Sequence, residues 1–253
     1  MVPAYPEARD LLKGKRVLIT AAAGTGIGYA TALRCAEEGA EIFVSDIHER
    51  RLGEAVDRIA AKTGRRPSAL PCDVTKEEQV RALVEAAGTI DVLVNNAGLG
   101  GSAAITEMTD EQWSRVLDVT LTSVFRMTRA VLPGMYARNA GIIVNNASVL
   151  GWRAQALQAH YAAAKAGVMA FTRCAAMEAA PHGVRINAVA PSIAMHEFMN
   201  RVSDAKLLAE LSQREAFGRS AETWEVANVI VFLASDLSSY MTGEIVSVSS
   251  QRA

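Results

Sequence analysis

The sequence predicts a three-layer α/β fold, a doubly wound parallel sheet with helices on both faces. Short apolar runs alternate along the chain with longer segments of helical spacing. Most of the runs are continuously apolar, which is typical of parallel strands buried on both faces. Because no linker, repeat or low-complexity segment interrupts this alternation, residues 1–253 are predicted to form a single domain, a size that one hydrophobic core can serve.

Seven strands are predicted from apolar runs bounded by turn residues. KRVLIT leads into the turn AAAGTG, and GIIVNNAS and VRINAVAP are equally short and apolar. Runs of roughly four to eight such residues between Gly, Pro, Asn or Asp are the usual sign of a buried strand. The expected strands are 15–20, 41–46, 67–73, 91–98, 141–148, 184–191 and 243–250.

Helices are predicted between these strands. Gly39 and Gly64 favour the ends of two helices, and Pro133 with Gly134 is expected to end the helix that begins at residue 110. A lid of irregular chain or short helices is expected at about 192–220. The expected helices are 26–40, about 50–62, 76–88, 110–135, the segment that contains Tyr161, and 223–236.

Composition excludes several classes of function. Lys and Arg number 26 and Asp and Glu number 27, for a net charge of -1, and this balance argues against a nucleic-acid-binding surface. No apolar stretch reaches the roughly 18 residues that suggest a membrane span, and the first residues lack the apolar centre of a signal peptide. Cys35, Cys72 and Cys174 have no C-x-x-C spacing, so we expect a cytoplasmic protein without disulfides or a metal site.

Ser148, Tyr161 and Lys165 are the candidate catalytic residues. Ser148 follows the predicted strand GIIVNNA, while Tyr161 and Lys165 are four residues apart in a segment of good helix formers, which places them on one helix face. An ammonium one turn away favours the phenolate and is expected to bring the tyrosine pKa from about 10 towards neutral. The trio is therefore predicted to exchange a proton with a substrate oxygen, coupled to hydride transfer.

The turn after the first strand is the candidate site for a dinucleotide. Gly24, Gly26 and Gly28 lie between this strand and the next helix, where backbone N–H groups and the helix dipole favour a pyrophosphate. The alternative is a tight turn that only allows close helix packing. Asp46 ends the second strand. A carboxylate at this position accepts hydrogen bonds from the ribose hydroxyls of NAD and repels the 2′-phosphate of NADP. NAD is therefore the expected cofactor.

Other polar residues are predicted at the same edge of the sheet. Arg50 and Arg51 follow closely in sequence and would soften the repulsion of a 2′-phosphate. Asp73 is expected either to accept from the adenine amino group or to cap the next helix. Asn95 and Asn96 are expected either to tie adjacent loops together or to line the cofactor cleft. Open α/β sheets bind ligands at the carboxyl ends of their strands, so these positions together favour a dinucleotide-binding enzyme.

With these motifs the chain resembles the short-chain dehydrogenase/reductase family over essentially its whole length. The resemblance implies a Rossmann fold with seven strands, NAD(P), and oxidation of an alcohol or reduction of a ketone. It also implies a homotetramer with the last strand and two long helices at its interfaces. The matching pieces are the glycine turn after Thr20, Asp73, NNAG at 95–98, Ser148, YAAAK at 161–165 and PSI at 191–193.

The resemblance also implies roles for individual residues. Tyr161 is expected to be the acid/base, Lys165 to hold the ribose and tune Tyr161, and Ser148 to orient the substrate oxygen. The implied cofactor contacts are Thr20, Gly24, Thr25, Gly26, Ile27, Asp46, Asp73, Val74, Asn96, Ala97, Gly98, Tyr161, Lys165, Pro191, Ile193 and Ala194.

Several residues depart from the family pattern. Ala21 stands where the first glycine of the turn is expected, and the turn is one residue longer. Thr120 replaces the usual asparagine, which puts the family's proton relay in question. Ser192 replaces a glycine, and His196 stands where a threonine often contacts the nicotinamide amide. The chain ends in SVSSQRA instead of a DGG-like sequence.

The combination TAAAGTGIG, SDIHERRLGE, NNASVLGWRAQ and GEIVSVSSQRA resembles the dehydrogenases of bacterial steroid C/D-ring breakdown. These act on a hydroxy or oxo group of a bicyclic hydroindane carried as a coenzyme A thioester, so the resemblance implies a hydrophobic ring substrate. Trp152, Arg153 and, in the predicted lid, His196 are candidate substrate contacts. The alternative is that Trp152 packs on the lid and Arg153 faces water.

Two other functions are left open by the sequence. One is a 3-oxoacyl-thioester reductase of fatty-acid type that uses NADPH, against which Asp46 argues. The other is a dinucleotide-binding regulator without catalysis. Ser148, Tyr161 and Lys165 argue against this alternative, whereas Thr120 in place of the usual asparagine keeps it open.

Overall fold

A computed structural model describes residues 2–195 and 205–250 of the chain. Its strands are β1 (Arg16–Ile19), β2 (Glu41–Val44), β3 (Ser68–Ala69), β4 (Val92–Asn95), β5 (Gly141–Asn146), β6 (Val184–Pro191), β7 (Ala194–Met195), β8 (Ala221–Glu222) and β9 (Ile245–Val248). Its α-helices are α1 (Ile27–Glu37), α2 (Glu49–Thr63), α3 (Glu77–Ala87), α4 (Asp110–Leu117), α5 (Ser123–Arg138), α6 (Ala159–Ala179), α7 (Ala205–Arg214) and α8 (Thr223–Ala234).

Seven strands form one parallel sheet in the order β3-β2-β1-β4-β5-β6-β9. The chain moves outward from β1 to β3 and then returns to place β4 on the other side of β1. The turns after β1 and β4 therefore lie side by side at the carboxyl edge, where open α/β sheets bind ligands. The predicted parallel α/β fold with seven strands is confirmed. β7 and β8 form a separate parallel pair.

The two faces of the sheet carry separate halves of the core. Val17 and Ile19 of β1 pack with buried residues of α1 and α8, whereas Leu18 between them packs with buried residues of α3 and α5. Because successive strand residues point to opposite faces, a strand with helices on both sides must be apolar at every position. This explains the unbroken apolar runs in the sequence.

Two predicted elements differ most from the structure. The third strand covers Ser68–Ala69 and not 67–73, because this segment lies at the outer edge and pairs only with β2. The helix predicted for 110–135 is interrupted by a π-helical turn at Asp118–Thr122 and continues past Pro133 to Arg138. Pro133 lies on the exposed side of α5, so burial of the opposite face offsets its cost of roughly 3 kcal/mol.

Within the described ranges, every helix is too short or too polar to pass through a lipid bilayer.

Candidate active site

Residues predicted as cofactor contacts collect on the turns after the parallel strands. Thr20 follows β1, Asp46 follows β2, and Pro191 ends β6. Tyr161 and Lys165 lie in the first two turns of α6. The remaining contacts lie before or at the start of α1, after β3 and β4, and around β7: Gly24, Thr25, Gly26, Ile27, Asp73, Val74, Asn96, Ala97, Gly98, Ile193 and Ala194. The predicted catalytic residue Ser148 follows β5. His196 lies outside the described residues.

Thr20 and Asn96 tie the turn after β1 to the turn after β4. Thr20 Oγ1 accepts hydrogen bonds from the backbone nitrogens of Asn96, at 3.0 Å, and Ala97, at 3.1 Å. Asn96 Nδ2 donates in return to the backbone oxygens of Thr20, at 3.1 Å, and Ala21, at 3.0 Å. Of the two roles expected for Asn96, the structure shows the tie between adjacent loops.

Asparagine side chains extend this tie to the end of β5. Asn95 and Asn145 are register partners, and Asn95 Nδ2 donates to Asn145 Oδ1 at 2.9 Å. One residue further along, Asn146 Nδ2 donates to Asn96 Oδ1 at 3.0 Å. Asn145 and Asn146 were not among the site residues predicted from the sequence. The available signal was the same three letters, NNA, at the ends of two consecutive strands.

Lys165 is buried against the ends of β4 and β5. Its side chain is 2% exposed, and Nζ donates to the backbone oxygen of Asn146. Nζ also lies 3.5 Å from where a Cβ on Gly98 would stand. Burial disfavours the ammonium form and lowers the pKa of Lys165 to about 7.

Tyr161 stands between Ser148 and Lys165. Lys165 Nζ is 5.6 Å from the centroid of the tyrosine ring. Burial raises the pKa of Tyr161 to about 12, and a hydrogen bond with the Ser148 side chain opposes this rise. The expectation that Lys165 brings the tyrosine pKa towards neutral is therefore wrong for the protein's own side chains, because burial favours the uncharged form of both groups.

Asp46 is bound to the glycine turn. Its Oδ2 accepts from the backbone nitrogen of Ala23 at 3.1 Å, and its Oδ1 accepts from the backbone nitrogen of His48 at 3.0 Å. Burial raises the pKa of Asp46, whereas the Ala23 N–H and the nearby Arg51 charge lower it. The carboxylate is thus fixed beside the turn, where the sequence placed the adenosine ribose.

Asp73 does not cap α3. Its Oδ1 accepts from the backbone nitrogen of Thr75, at 2.9 Å, and from the Thr75 hydroxyl, at 2.7 Å, while the N-cap residue of α3 is Lys76. Asp73, Thr75 and Ile47 line one side of a cavity of about 740 Å³, whose other side is α4 and the π-helical turn. The helix-cap alternative is therefore wrong.

Two glycines of the first turn meet different structural requirements: Gly28 allows a close approach, and Gly24 adopts a left-handed backbone conformation. A Cβ on Gly28 would lie 2.3 Å from the backbone oxygen of Ala21 and 2.4 Å from Asn96 Nδ2, so only glycine fits this close approach of helix and turn. Gly24 has φ 86°, and a Cβ there would meet no described atom within 4 Å. Ala21, where the family has glycine, also adopts a left-handed φ of 51°.

Thr120 lies in the π-helical turn between α4 and α5. Its hydroxyl accepts from the backbone nitrogen of Leu99, at 3.0 Å, and donates to the backbone oxygen of the same residue, at 3.1 Å. A Cβ on Gly98 would lie 3.9 Å from Thr120 Cγ2 and 3.5 Å from Lys165 Nζ. Thr120 therefore fixes the backbone next to the Lys165 amine, and π-helical turns often occur at functional sites.

The segment between Ser148 and Tyr161 carries exposed apolar side chains. Trp152 is 53% exposed and Leu157 is 51% exposed, while Arg153 is half-buried. Leu157 has a left-handed φ of 66°, a strained conformation that is frequent at functional sites. Its backbone oxygen accepts from the nitrogen of Ala103 at 3.1 Å, which joins this segment to the loop after β4.

His160 packs beneath the same loop. It is 2% exposed, and its Nε2 lies 3.2 Å from where a Cβ on Gly101 would stand. The neighbouring Gln158 donates from Nε2 to Ser102 Oγ at 3.1 Å. His160 thus supports the loop after β4, on a different side of α6 from the Tyr161 hydroxyl.

The described part of the chain brings together no group of three or more His, Cys, Asp or Glu side chains that could hold a metal ion.

A family model described as enoyl-(acyl carrier protein) reductase matches residues 21–250. The chain is 61% identical to the (5R,7aS)-5-hydroxy-7a-methyl-1-oxo-2,3,5,6,7,7a-hexahydro-1H-indene-carboxyl-CoA reductase of Mycobacterium tuberculosis, over 99% of this chain and 98% of that protein. A short chain dehydrogenase structure from Mycobacterium smegmatis superposes with a TM-score of 0.88 at 58% identity, covering 100% of this chain and 99% of that one. The chain belongs to the short-chain dehydrogenase/reductase family.

Membership of this family makes the chain an oxidoreductase that uses a nicotinamide dinucleotide. A structure of a 3-oxoacyl-[acyl-carrier protein] reductase with bound NAD from Brucella melitensis has a TM-score of 0.89 at 32% identity, covering 98% of this chain and 95% of that one. The predicted family resemblance is thereby confirmed.

Proposed function

We propose that the chain transfers a hydride between NAD(H) and a ring ketone or secondary alcohol of a hydroindane acyl-coenzyme A. The reaction is supported by one arrangement above all, the Tyr161 phenol hydrogen-bonded to Ser148 beside the buried amine of Lys165. The substrate class is supported by the 61% identity to a reductase of a hydroindene carboxyl-CoA.

Each member of the trio has a separate task in this proposal. Ser148 holds the substrate oxygen, and Tyr161 donates a proton to it from a phenol that burial keeps protonated, with a pKa of about 12. Lys165 holds the ribose and orients Tyr161 from its position on the Asn146 carbonyl. When bound, the nicotinamide supplies the hydride, and its positive oxidised form favours the phenolate that the reverse reaction needs.

The residues at the carboxyl edge fit a dinucleotide. Gly24 leaves open space at a left-handed φ, and α1 begins directly after the turn, so its N-terminus suits a pyrophosphate. Asp46 is held against the turn by the Ala23 N–H, where it would accept the ribose hydroxyls and repel a 2′-phosphate. We therefore propose NAD in preference to NADP, with the cofactor contacts predicted from the sequence.

Apolar side chains suit a bicyclic ring at the mouth of the site. Trp152 and Leu157, in the segment that joins Ser148 to Tyr161, expose about half of their surface, and exposed apolar patches commonly mark ligand sites. Arg153 offers a cation near the same place for a polar group of the thioester substrate. We propose Trp152, Arg153 and His196 as substrate contacts.

The decisive experiment compares two substrates and two nucleotides on the purified chain. The substrates are a hydroindane acyl-CoA carrying a ring ketone and a linear 3-oxoacyl-CoA, each assayed with NADH and with NADPH. We expect a higher kcat/KM for the ring substrate and for NADH. A preference for the linear substrate with NADPH would support a 3-oxoacyl-thioester reductase of fatty-acid type instead.

Tyr161→Phe is the matched variant for this assay, because it removes one oxygen and keeps the ring. Proton transfer by a positioned side chain contributes roughly 10²–10⁴-fold, so we expect turnover to fall by at least about 100-fold. NADH binding, measured by titration calorimetry, should persist. If the wild-type chain binds NADH but turns over none of the substrates, a non-catalytic dinucleotide-binding protein becomes the better explanation.

We further propose that residues 1–253 form one domain that assembles as a homotetramer in the cytoplasm. Phe125 of α5 and Met177 of α6 are 42% and 76% exposed, and burial of such apolar helix faces against other subunits would be favourable. The described cysteines are unpaired, with Cys174 exposed, which suits a reducing compartment. Light scattering coupled to size-exclusion chromatography tests the assembly.

A further inference from the structure

We propose that Arg58 of α2 is a positioning residue for the cofactor, acting through the glycine turn. Its Nη2 donates to the backbone oxygen of Gly24, across 34 residues of sequence. Its guanidinium carbon lies 4.5 Å from the centroid of the Tyr29 ring in α1. This inference rests on the proposed function, because it assigns a role towards the dinucleotide that the turn is proposed to bind.

Two side chains of opposite charge bind the backbone of adjacent residues in the turn. The Asp46 carboxylate accepts from the backbone nitrogen of Ala23, and the Arg58 guanidinium donates to the backbone oxygen of Gly24. Gly24 has φ 86°, a conformation that glycine enters and leaves with little steric resistance. The two side chains therefore fix a part of the turn that the sequence alone leaves free to rotate.

The fixed orientation suits an anionic ligand. A carbonyl oxygen that turned towards a pyrophosphate would repel it, whereas backbone N–H groups attract it. Arg58 holds the Gly24 oxygen on the side of α2, so this dipole is set before the ligand arrives. Preorganised groups bind more tightly because less freedom is lost on binding.

The contacts of Arg58 distinguish it from other arginines of this surface. Arg50 pairs with Glu54 one turn along its own helix, as exposed helix residues commonly do, and Arg66, which follows the helix, pairs with Asp57. Arg58 instead donates to a backbone carbonyl of another element and stacks on an aromatic ring. Both contacts favour an arginine over a lysine at this position. Its charge also opposes the rise in the pKa of Tyr29 that burial causes.

The test is titration calorimetry of NADH and of NADPH against wild type, Arg58→Met, Arg58→Lys and the control Arg66→Met. Arg58→Met keeps the apolar stem over Tyr29 and removes the donor, and Arg66→Met removes an equal charge from the same surface. We expect Arg58→Met to raise the Kd of both nucleotides by the same factor, about five- to tenfold, equal to roughly 1–1.4 kcal/mol. Arg58→Lys should recover part of the loss, and Arg66→Met should match wild type.

Each other outcome has a defined meaning. A loss confined to NADPH would indicate direct contact with the 2′-phosphate and overturn the positioning role. Unchanged Kd values in Arg58→Met would overturn it as well. Unfolding midpoints measured on the same samples show whether a weaker variant is still folded, and a folded Arg58→Lys keeps the test valid if Arg58→Met is not. Failure of wild type to bind NADH would instead count against the proposed function.

Discussion

Lys165 Nζ donates a hydrogen bond to the backbone oxygen of Asn146 while standing 5.6 Å from the centroid of the Tyr161 ring. The acceptor is a neutral carbonyl, so it offsets only part of the cost of burying an ammonium. This explains why burial lowers the pKa of Lys165 to about 7. Burial thus brings the pKa of this amine down from the alkaline range to the neutral range.

This low pKa predicts that Lys165 makes stability depend on pH. The pKa of a lysine is about 10.4 in the unfolded chain and about 7 in the folded one. Between these values the unfolded chain binds the proton and the folded chain does not, so the unfolding free energy rises with pH, by up to about 1.4 kcal/mol per pH unit. Below pH 7 the amine is protonated in both states, so the folded chain bears the full free-energy cost of burying an ammonium.

The measurement is urea unfolding of wild type and Lys165→Met at pH 7.5 and pH 9. Between pH 7.5 and pH 9 the unfolding free energy of wild type should rise by up to about 2 kcal/mol relative to that of the variant. Burial raises the pKa of the Cys35 thiol to about 12 and that of Cys72 to about 11, which acts in the opposite direction. Both proteins share these thiols, so the difference isolates Lys165. If the unfolding free energies of wild type and variant changed equally with pH, the amine would stay protonated in the folded chain.

Gly28→Ala is expected to weaken both folding and NADH binding. The added methyl would stand 2.3 Å from the Ala21 oxygen and 2.4 Å from Asn96 Nδ2, so turn and helix must separate, at a cost of roughly 1–3 kcal/mol. The control is Gly53→Ala in α2, where a Cβ meets no described atom within 4 Å. That variant should gain about 0.5–1 kcal/mol from helix propensity. Thermal unfolding and NADH titration of both variants check the contrast, and equal behaviour would contradict the close approach.

The parts of this structure that the sequence predicted are those with a periodic or spacing signal. The seven strands are visible as apolar runs because helices cover both faces of the sheet. Tyr161 and Lys165 could be placed together because four residues complete about one turn of helix. Asp46 could be placed beside the glycine turn because both follow neighbouring parallel strands.

The parts that were missed depend on burial and on backbone contacts. The π-helical turn at Asp118–Thr122 leaves the helical spacing of the sequence nearly intact, so the spacing of residues does not predict it. The bond from Lys165 to the Asn146 carbonyl involves a backbone atom that every residue possesses. The direction of the Tyr161 pKa was mistaken because spacing reports the nearby charge, whereas burial, which decides the sign, is a property of the folded chain.

Ala21→Gly is expected to leave stability unchanged or raise it, within about 1 kcal/mol. Alanine at a φ of 51° carries a steric cost of roughly 1–2 kcal/mol that glycine avoids. Against this gain stand a lost methyl contact and the larger freedom of glycine in the unfolded chain, about 0.4–1 kcal/mol. The control is Ala61→Gly on the exposed face of α2, which should lose about 0.5–1 kcal/mol. Chemical denaturation measures the unfolding free energy of both variants. A larger loss of unfolding free energy in Ala21→Gly than in Ala61→Gly would mean that the turn is not strained.

Thr120→Val is expected to lower kcat while leaving the KM for the substrate nearly unchanged. Valine keeps the shape of threonine but removes the hydroxyl that satisfies both backbone groups of Leu99, so two partly buried polar groups lose their partner, at roughly 1–3 kcal/mol. Because Gly98 separates Thr120 from the Lys165 amine, a shift of this backbone displaces the amine from Tyr161, and small misplacements of catalytic groups cost about tenfold or more in rate. Thr120→Ser restores the hydroxyl and should restore most of kcat, although it removes the methyl group. Steady-state kinetics of the two variants, with their unfolding midpoints, separate the roles: a Val variant that is less stable yet has the kcat of wild type would make Thr120 a purely structural residue.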